Sequence, residues 1–344
     1  MTHSKELPPL TSPFFPNLFI KNQFFTKPRF PPHSTNLSDQ VALVTGSNTG
    51  LGLECARQLL SYKLSRLIIA VRSSAKGEIA ASNLRKQYPK SIIEVWVLDM
   101  SSYDSVRAFA ARLDKELPRL DVAILNAGMG RSAFSTSPDT GHEENLQVNY
   151  LSTMLLSILI LPILKKKSPV GLPGRLTIVT SMLSITAKFA NKSEVPLLPA
   201  FDRADLFDPY DIYQTSKFLG QLFIWKLTDM VSADDVVVNL VEPGFIKGTE
   251  LQRDISGITR IILNLFKTIS ARSVKVGAST YIDAAIVKGK ESHGCVLTNW
   301  DIAPYAPFQY TAEGKIIMNR LWEETLKEFN FIDTNSILGF LKTA

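Results

Sequence analysis

A tyrosine and a lysine four positions apart are the residues of this 344-residue chain whose types most directly suggest chemistry. They belong to Tyr213-Gln214-Thr215-Ser216-Lys217, and residues with this spacing lie on one face of a helix. A free phenol titrates near ~10, and a neighbouring ammonium group favours its ionised form. The pair could therefore pass a proton to or from an alcohol or carbonyl oxygen, although in most proteins this spacing marks only a surface pair.

The glycine-rich segment Thr45-Gly46-Ser47-Asn48-Thr49-Gly50-Leu51-Gly52 predicts a turn that binds a dinucleotide. It follows the first β-branched run and precedes an amphipathic stretch that we expect to be helical from near Leu53. Glycines let the backbone bend sharply and approach a pyrophosphate, which then lies at the positive end of the helix. An ordinary tight turn is the alternative. The segment lacks the Gly-Lys-Ser/Thr ending of a P-loop, which argues against nucleoside-triphosphate hydrolysis.

The form of the cofactor is indicated by Arg72, in Ala70-Val71-Arg72-Ser73 at the end of the second apolar run. Dinucleotide folds contact the adenosine ribose at this position. An acidic residue there accepts hydrogen bonds from a 2′-hydroxyl, whereas an arginine fits a 2′-phosphate. Arg72 therefore favours NADP(H) over NAD(H), and the alternative is a surface arginine at a strand end.

From residue 40 the chain predicts the scaffold that positions these residues, because short β-branched runs alternate with longer amphipathic stretches. We expect an α/β fold, a doubly wound parallel sheet of the Rossmann type. It forms a single domain over residues 39–300, with a Pro- and Phe-rich extension at 1–38 and a C-terminal extension at 301–344. A helix should start at Ser101-Ser102-Tyr103-Asp104, which resembles a capping box. The predicted strands are Val41–Thr45, Arg66–Val71, Ile92–Val97, Val122–Leu125, Leu176–Thr180 and Val236–Leu240.

These motifs, in this order, resemble the short-chain dehydrogenases/reductases, in the group similar to the retinol dehydrogenases, from about Gln40 to about Trp300. Each motif alone could be explained without catalysis, but their joint occurrence in this order favours the catalytic interpretation. The further matching positions are Asp99 with Met100, Asn126-Ala127-Gly128, Asn149 in Gln147-Val148-Asn149-Tyr150, Ser181 after Ile178-Val179-Thr180, and Pro243-Gly244-Phe245-Ile246 followed by Thr249.

The resemblance implies an enzyme with a catalytic tetrad of Asn149, Ser181, Tyr213 and Lys217. Tyr213 would be the general acid/base, and Lys217 would favour its phenolate and bind the nicotinamide ribose. Ser181 would hydrogen-bond the substrate oxygen, and Asn149 would hold a water that links Lys217 to solvent. The implied cofactor contacts are Gly46 to Gly52, Arg72, Asp99, Met100, Asn126, Ala127, Gly128, Tyr213, Lys217, Pro243, Gly244, Phe245, Ile246 and Thr249. The assignment of Thr249 stays open, because one more residue precedes it than in many relatives.

Two segments are expected to border the substrate. Residues 245–270 occupy the position of the family's substrate lid, and their isoleucines recur at helical spacing; a helix packed on the body is the alternative. The long interval between Ser181 and Tyr213 indicates an inserted loop, including Ala187–Pro209, at the substrate mouth. The C-terminal region could complete the pocket or a subunit contact; it includes Trp300, Tyr305, Phe308, Tyr310 and an amphipathic stretch from about Gly314 to Phe329.

Composition narrows the class of protein. The net charge is +6, but the basic residues are scattered, so no nucleic-acid partner is predicted. The two cysteines and four histidines are dispersed, which predicts neither a disulfide framework nor a metal site. The apolar run Met154 to Leu164 is too short to span a membrane and predicts a buried helix. Without a secretory signal pattern, a cytoplasmic location is expected.

The N-terminal extension carries many phenylalanines for a solvated tail, which favours packing against the domain. Peripheral membrane contact is the alternative explanation. We predict an NADP(H)-dependent oxidoreductase, monomeric or homodimeric, that interconverts an alcohol and a ketone or aldehyde on a lipophilic small molecule. The ends of the chain resemble fungal enzymes of secondary metabolism acting on polyketide or terpenoid compounds. The competing class is a non-catalytic dinucleotide-binding regulator, which loses the tyrosine or lysine that this chain retains.

Overall fold

The computed structural model describes residues 3–248 and 266–342. Their centre is a sheet of eight strands in the order β3-β2-β1-β4-β5-β6-β7-β8, in which β1 to β7 are parallel and β8 is antiparallel to β7. The order reverses direction beside β1, as in a doubly wound sheet, and this confirms the predicted fold class. The strands are β1 Val41–Thr45, β2 Arg66–Val71, β3 Ile92–Val97, β4 Val122–Leu125, β5 Gly174–Val179, β6 Val236–Glu242, β7 Cys295–Thr298 and β8 Asp301–Ala303.

Helices cover both faces of this sheet, so the central strands are buried on both sides and are largely apolar. One face carries α2, α3 and α7, and the other carries α4, α5 and α6, each with its own apolar core. The helices are α1 Phe19–Phe24, α2 Gly50–Ser61, α3 Ser74–Gln87, α4 Tyr103–Glu116, α5 Glu144–Lys167, α6 Ile212–Leu227, α7 Val274–Ile282, α8 Ala312–Glu328 and α9 Thr334–Lys342. A π-helical turn, Gln147–Leu151, lies inside α5.

The first four strands have the predicted bounds to the residue. β5 and β6 differ from their predicted bounds only at the ends. One helix start was misplaced, whereas α4 begins at Tyr103, as the sequence predicted, with a different hydroxyl as its cap. α2 begins at Gly50 and not near Leu53, because its first turn lies within the glycine segment. The hydroxyl that caps α4 is that of Ser102 and not Ser101, since Ser102 accepts a hydrogen bond from the amide of Ser105.

Within the described ranges, α5 is long and apolar enough to cross a membrane by length and composition alone. Its 24 residues exceed the run expected from the sequence, because the polar Ser157 and the internal Pro162 do not end the helix. However, 89% of its 18-residue apolar stretch is buried inside the protein. α5 is therefore the central helix of one core.

The extension before β1 is attached to the last two strands of the sheet. The ring of His3 lies 2.7 Å from the carbonyl oxygen of His293. The hydroxyl of Ser4 donates to the carbonyl of Ala303 and accepts from the amide of Val296. Through Ser4, the start of the described chain therefore links β7 to β8.

Helix α8, the first of the two helices that follow the sheet, packs on α6, where the rings of Phe223 and Trp322 stack 4.7 Å apart. His142, ahead of α5, is the polar link to this layer. Its ring nitrogens lie 2.8 Å from a carboxylate oxygen of Asp202 and 3.1 Å from one of Glu328. Burial opposes protonation, but these two hydrogen bonds outweigh it and raise the pKa of His142 to about 9.

Because this pKa lies above the unfolded value near 6.5, the His142 link should be fully stabilising below that value and lost as the pH rises through about 9. We expect His142→Gln to lower the free energy of unfolding by about 1 to 3 kcal/mol near pH 6 and by much less near pH 9.5. Urea denaturation at the two pH values measures the difference. The exposed His33 provides the control His33→Gln, and equal losses at both pH values would contradict a charged His142.

Candidate active site

The glycine-rich turn between β1 and α2 uses its glycines for two different reasons. Gly46 and Gly50 have φ angles of +63° and +57°, which side chains disfavour. Gly52 is required by a close approach, because a Cβ there would lie 2.5 Å from the carbonyl oxygen of Gly46. Thr49 gives no side-chain cap to α2. The turn therefore has the backbone space and the helix N-terminus that accept a pyrophosphate.

Asn126 ties this turn to the end of β4. Its side-chain amide donates to the carbonyl oxygens of Thr45 and Gly46 at 2.9 and 3.2 Å. The hydroxyl of Thr45 in turn accepts from the amides of Asn126 and Ala127. The predicted cofactor segment Asn126-Ala127-Gly128 thus also fixes the shape of the glycine turn, and a Cβ on Gly46 would lie 3.0 Å from the backbone of Ala127.

At the adenosine end, Arg72 is exposed at the end of β2. Asp99 follows β3, and one of its carboxylate oxygens accepts from the amide of Ser101 at 2.9 Å. Met100 is buried in the core, so only its backbone is placed for the predicted cofactor contact. The side chain of Ser47 is likewise occupied, because its hydroxyl donates to the carbonyl of Val44.

The four predicted catalytic residues come together at the carboxyl ends of β4 and β5. Tyr213 and Lys217 are one turn apart on α6, and the side chain of Ser181 lies close enough to the hydroxyl of Tyr213 to lower its pKa. The amine of Lys217 donates to the carbonyl of Val179 at 3.0 Å. A Cβ on Gly128 would lie 3.2 Å from that amine and 3.1 Å from the side-chain oxygen of Asn149, so a larger residue would fill this space.

Asn149 lies in the π-helical turn of α5, a distortion that is frequent at functional sites. Its side-chain oxygen accepts from the amide of Met129, and its amide donates to the carbonyl of Met129 and to the hydroxyl of Ser216. In the structure Asn149 therefore holds the chain after β4 against α6. Its role in holding a water stays a prediction.

Burial sets the ionisation of the catalytic pair. It raises the pKa of Tyr213 to about 12; the hydrogen bond from Ser181 opposes this, and the charge of Glu242 adds to it. Burial also lowers the pKa of Lys217 to about 8. At neutral pH the phenol is therefore protonated, which is the form that can donate a proton to a carbonyl oxygen.

The segment after β6 contacts the N-terminal extension. Gly244 has a φ of +88°, and a Cβ there would lie 2.9 Å from the side-chain oxygen of Gln23. The amide of Gln23 donates to the carbonyl oxygens of Phe245 and Ser270, both at 2.9 Å, and its oxygen accepts from the amide of Phe245. One side chain of the extension therefore joins the chain before residue 249 to the chain after residue 265.

An aromatic cluster supports the same contact. The buried Phe19 packs against the rings of Phe245 and Phe266, with centroids 5.8 and 5.5 Å apart. Packing thus accounts for Phe19. It does not account for Phe24 and Phe25, which are 52% and 78% exposed.

A cavity of about 260 Å³ opens beside Ser181. One wall comes from the loop after β5, including Met182 and Ile185, and the floor from the end of β6. The opposite wall comes from the N-terminal extension, through Leu10, Leu18, Lys21, Asn22 and Thr26. The extension is therefore part of the site.

A family model described as short chain dehydrogenase matches residues 40–192, which hold the glycine turn, Asn149 and Ser181. The short chain dehydrogenase/reductase mfmJ of Annulohypoxylon moriforme is 58% identical over 342 residues and covers 99% of both chains. The chain belongs to the short-chain dehydrogenase/reductase family. The short chain dehydrogenase virL of Hypocrea virens is 43% identical over 320 residues, covering 92% of this chain and 93% of that one.

The fold of this short-chain dehydrogenase/reductase is shared with solved structures. One of them is the Pseudomonas aeruginosa RhlG/NADP active-site complex, which superposes with a TM-score of 0.57 at 21% sequence identity. The match covers 79% of this chain and 97% of that chain. Membership of this family identifies the protein as a nicotinamide-dependent oxidoreductase, as the sequence predicted.

Several expectations for this short-chain dehydrogenase/reductase had a different outcome or stay open. Thr249 and most of the predicted lid at 245–270 lie outside the described residues. The loop Ala187–Pro209 contributes no residue to the wall of the described cavity; its Phe189 and Phe201 are buried in the core instead. Of the aromatic loop, Trp300 and Tyr305 are buried, and its neighbours Asn299, Pro304 and Ala306 reach the cavity. In the described part of the chain, no group of His, Cys, Asp and Glu is placed to hold a metal ion.

Two site residues were missed from the sequence, Glu242 and Gln23. Glu242 ends the otherwise uncharged strand Val236–Glu242 and is 3% exposed. A charged residue in a strand buried on both faces was the signal that could have found it, because carboxylates are almost never fully buried without a partner. No local pattern marks Gln23, whose partners are 222 and 247 positions away.

Proposed function

We propose that this protein is an NADP(H)-dependent oxidoreductase that interconverts an alcohol and a ketone or aldehyde on a lipophilic small molecule. The observation that carries the proposal is the position of Tyr213 beside Ser181, which lines the cavity, with the amine of Lys217 one helical turn away. These groups form a proton-handling site beside a turn whose glycines leave room for a dinucleotide. A regulator that had lost catalysis would not need to keep them.

The residues divide the work of the reaction. A substrate carbonyl oxygen in the cavity would accept hydrogen bonds from Ser181 and Tyr213, which stabilise the negative charge that develops there. Tyr213 donates its proton to that oxygen during reduction and takes it back during oxidation. Lys217, held by the carbonyl of Val179, lies where its charge favours the tyrosinate and where it can bind a ribose hydroxyl. When bound, the nicotinamide supplies or accepts the hydride at the substrate carbon.

The preference for NADP(H) rests on Arg72. It follows β2 directly, at the predicted ribose position, where no acidic residue stands that could accept hydrogen bonds from a 2′-hydroxyl. It is exposed, so a 2′-phosphate could reach its guanidinium. The similar Pseudomonas aeruginosa structure is a complex with NADP, which supports the same choice.

We expect Arg72→Ala to weaken NADPH binding by about ten- to a hundredfold, because a charge-assisted bidentate contact is lost, and to leave NADH binding within about twofold. Titration of the cofactor fluorescence measures both. Arg107→Ala is the control, because Arg107 is exposed on α4 and away from the glycine turn. Equal weakening of NADPH and NADH would remove the basis for the preference.

The substrate class follows from the cavity and from the relatives. Leu10, Leu18, Met182 and Ile185 give the cavity apolar walls on opposite sides. The relatives come from the fungi Annulohypoxylon moriforme and Hypocrea virens, and this supports a fungal polyketide or terpenoid intermediate as the substrate. The buried, unpaired cysteines Cys55 and Cys295 fit action in the reducing cytoplasm.

The direct test follows NADPH absorbance with a panel of lipophilic ketones and aldehydes, and NADP⁺ reduction with the matching alcohols. Turnover with at least one pair in both directions is expected. If NADPH binds and no compound is turned over, a dinucleotide-binding regulator becomes the better account.

A further inference from the structure

Glu242 stands in the reaction cavity and has no part in the proton transfer described above. It is the last residue of β6, and its side chain lines the cavity together with Ser181 and Gln221. It is 3% exposed. Its charge is felt by Tyr213, whose pKa it raises, so the two groups are close enough to interact.

The carboxyl group of Glu242 is fixed in direction. One oxygen accepts from the amide of Gly244 at 2.6 Å. Among the described ion pairs none involves Glu242. Arg272 is nearby, but its guanidinium bonds to the carbonyl of Asn22 and the side chain of Asn299. The nearest cation therefore does not neutralise Glu242 by direct contact.

The other carboxylate of the cavity behaves differently. Both oxygens of Asp301 are taken by Arg29, at 2.6 and 2.9 Å. Asp301 is thus a structural partner of the N-terminal extension. Glu242 is left as the carboxyl group of the cavity wall that can face a bound molecule.

The contact with Gly244 does not by itself explain a glutamate at this position. A serine or asparagine could accept from a backbone amide without a carboxyl group being buried, and burial of a carboxylate is costly unless it is well hydrogen-bonded. Burial raises the pKa of Glu242, and the described hydrogen bonds to its carboxyl group engage one oxygen, so the other oxygen can accept a further hydrogen bond. A polar hydrogen of the substrate would supply the missing partner.

We propose that Glu242 is a specificity-determining residue that accepts a hydrogen bond from a hydroxyl group of the substrate, close to the carbonyl that Ser181 and Tyr213 bind. The inference rests on the proposed function and narrows it, because the substrate is then a hydroxylated carbonyl compound and not a purely apolar one. Glu242 is buried in the cavity lining, so a carboxyl group left without a matching donor would discriminate strongly between substrates.

Hydroxybenzaldehydes and the corresponding methoxybenzaldehydes are suitable probes, in their ortho, meta and para forms. The two substituents have similar electronic effects, but only the hydroxyl group can donate a hydrogen bond. The wild-type protein with NADPH should favour at least one hydroxy isomer over its methoxy partner by about ten- to a hundredfold in kcat/KM. In Glu242→Gln an amide that accepts from Gly244 turns its NH₂ group to the cavity, so this preference should fall by about tenfold or more.

Binding provides a readout that does not need turnover. With NADPH present, the Kd values of the same pairs are measured by calorimetry on Tyr213→Phe, with and without Glu242→Gln. If nothing is turned over but the hydroxy preference appears in Kd and depends on Glu242, the recognition role stands and the redox function fails.

Two results would overturn the inference: equal affinity of the wild-type protein for every hydroxy and methoxy pair, or a hydroxy preference that Glu242→Gln retains. Glu323→Gln, an exposed site on α8, is the matched control. Circular dichroism and NADPH affinity establish that Glu242→Gln is folded. If it is not, Glu242→Asp, which keeps the carboxyl group but shortens it, should shift the preferred isomer.

Discussion

Replacement of Tyr213 with Phe should lower kcat about a thousandfold, in line with the loss of a positioned general acid. Phe keeps the ring and removes only the hydroxyl, whose pKa Ser181 lowers. The phenol is protonated at neutral pH because burial raises its pKa to about 12, so Tyr213 is in the form that can donate a proton to a carbonyl oxygen. NADPH affinity should stay within about threefold, since the ring that packs in the site is retained.

Tyr210 supplies the matched control for this prediction. It precedes the same helix and is 81% exposed, so Tyr210→Phe removes a tyrosine hydroxyl without touching the cavity. Initial rates of NADPH consumption with a carbonyl compound that the wild-type protein reduces, together with a fluorescence titration of NADPH, separate catalysis from binding. A Tyr213→Phe protein that kept about a tenth of the activity or more would show that another group moves the proton.

The second large effect is expected at Gly52. A Cβ there would lie 2.5 Å from the carbonyl oxygen of Gly46 and 2.5 Å from the side-chain nitrogen of Asn126. Because one of these atoms belongs to the backbone, the turn itself must move. Gly52→Ala should therefore weaken NADPH binding by about a hundredfold and lower the free energy of unfolding by about 1 to 3 kcal/mol.

Gly339 gives the opposite case with the same substitution. It lies in α9, where a Cβ would meet nothing within 4 Å. Gly339→Ala should leave NADPH binding unchanged and stabilise the protein by about 0.5 to 1 kcal/mol through helix propensity. NADPH titration and urea denaturation of both variants check the pair of predictions, and unaltered cofactor affinity in Gly52→Ala would refute the steric argument.

Local patterns were sufficient for the Rossmann core. The strands from Val41 to Leu125 are largely apolar runs of the right length between turn residues, so their bounds could be read directly. β7, at Cys295–Thr298, and β8, at Asp301–Ala303, were not predicted, because such short strands near the edge of the sheet leave too little pattern. The start of α2 was misplaced, because Gly50 and Gly52 are poor helix formers that the phosphate turn nevertheless requires.

The candidate site likewise contains residues that the sequence predicted and contacts that it did not predict. The residues that carry a motif, such as Ser181, Tyr213 and Lys217, were found and are brought together by the structure. Contacts between distant parts of the chain were not foreseen. Gln23 on the carbonyl of Phe245 depends on tertiary packing, for which a single sequence gives no period or spacing.

The tie between Ser4 and the strands near residue 300 bears on how the protein comes to be active during synthesis. The N-terminal extension leaves the ribosome first, but its partners Val296 and Ala303 are made almost 300 residues later. The catalytic helix can form before then, while the wall made by Leu10 and Leu18 has nothing to close against. A nascent chain could thus bind dinucleotide through its glycine turn well before it could enclose a substrate, and the N-terminal extension would complete the pocket last.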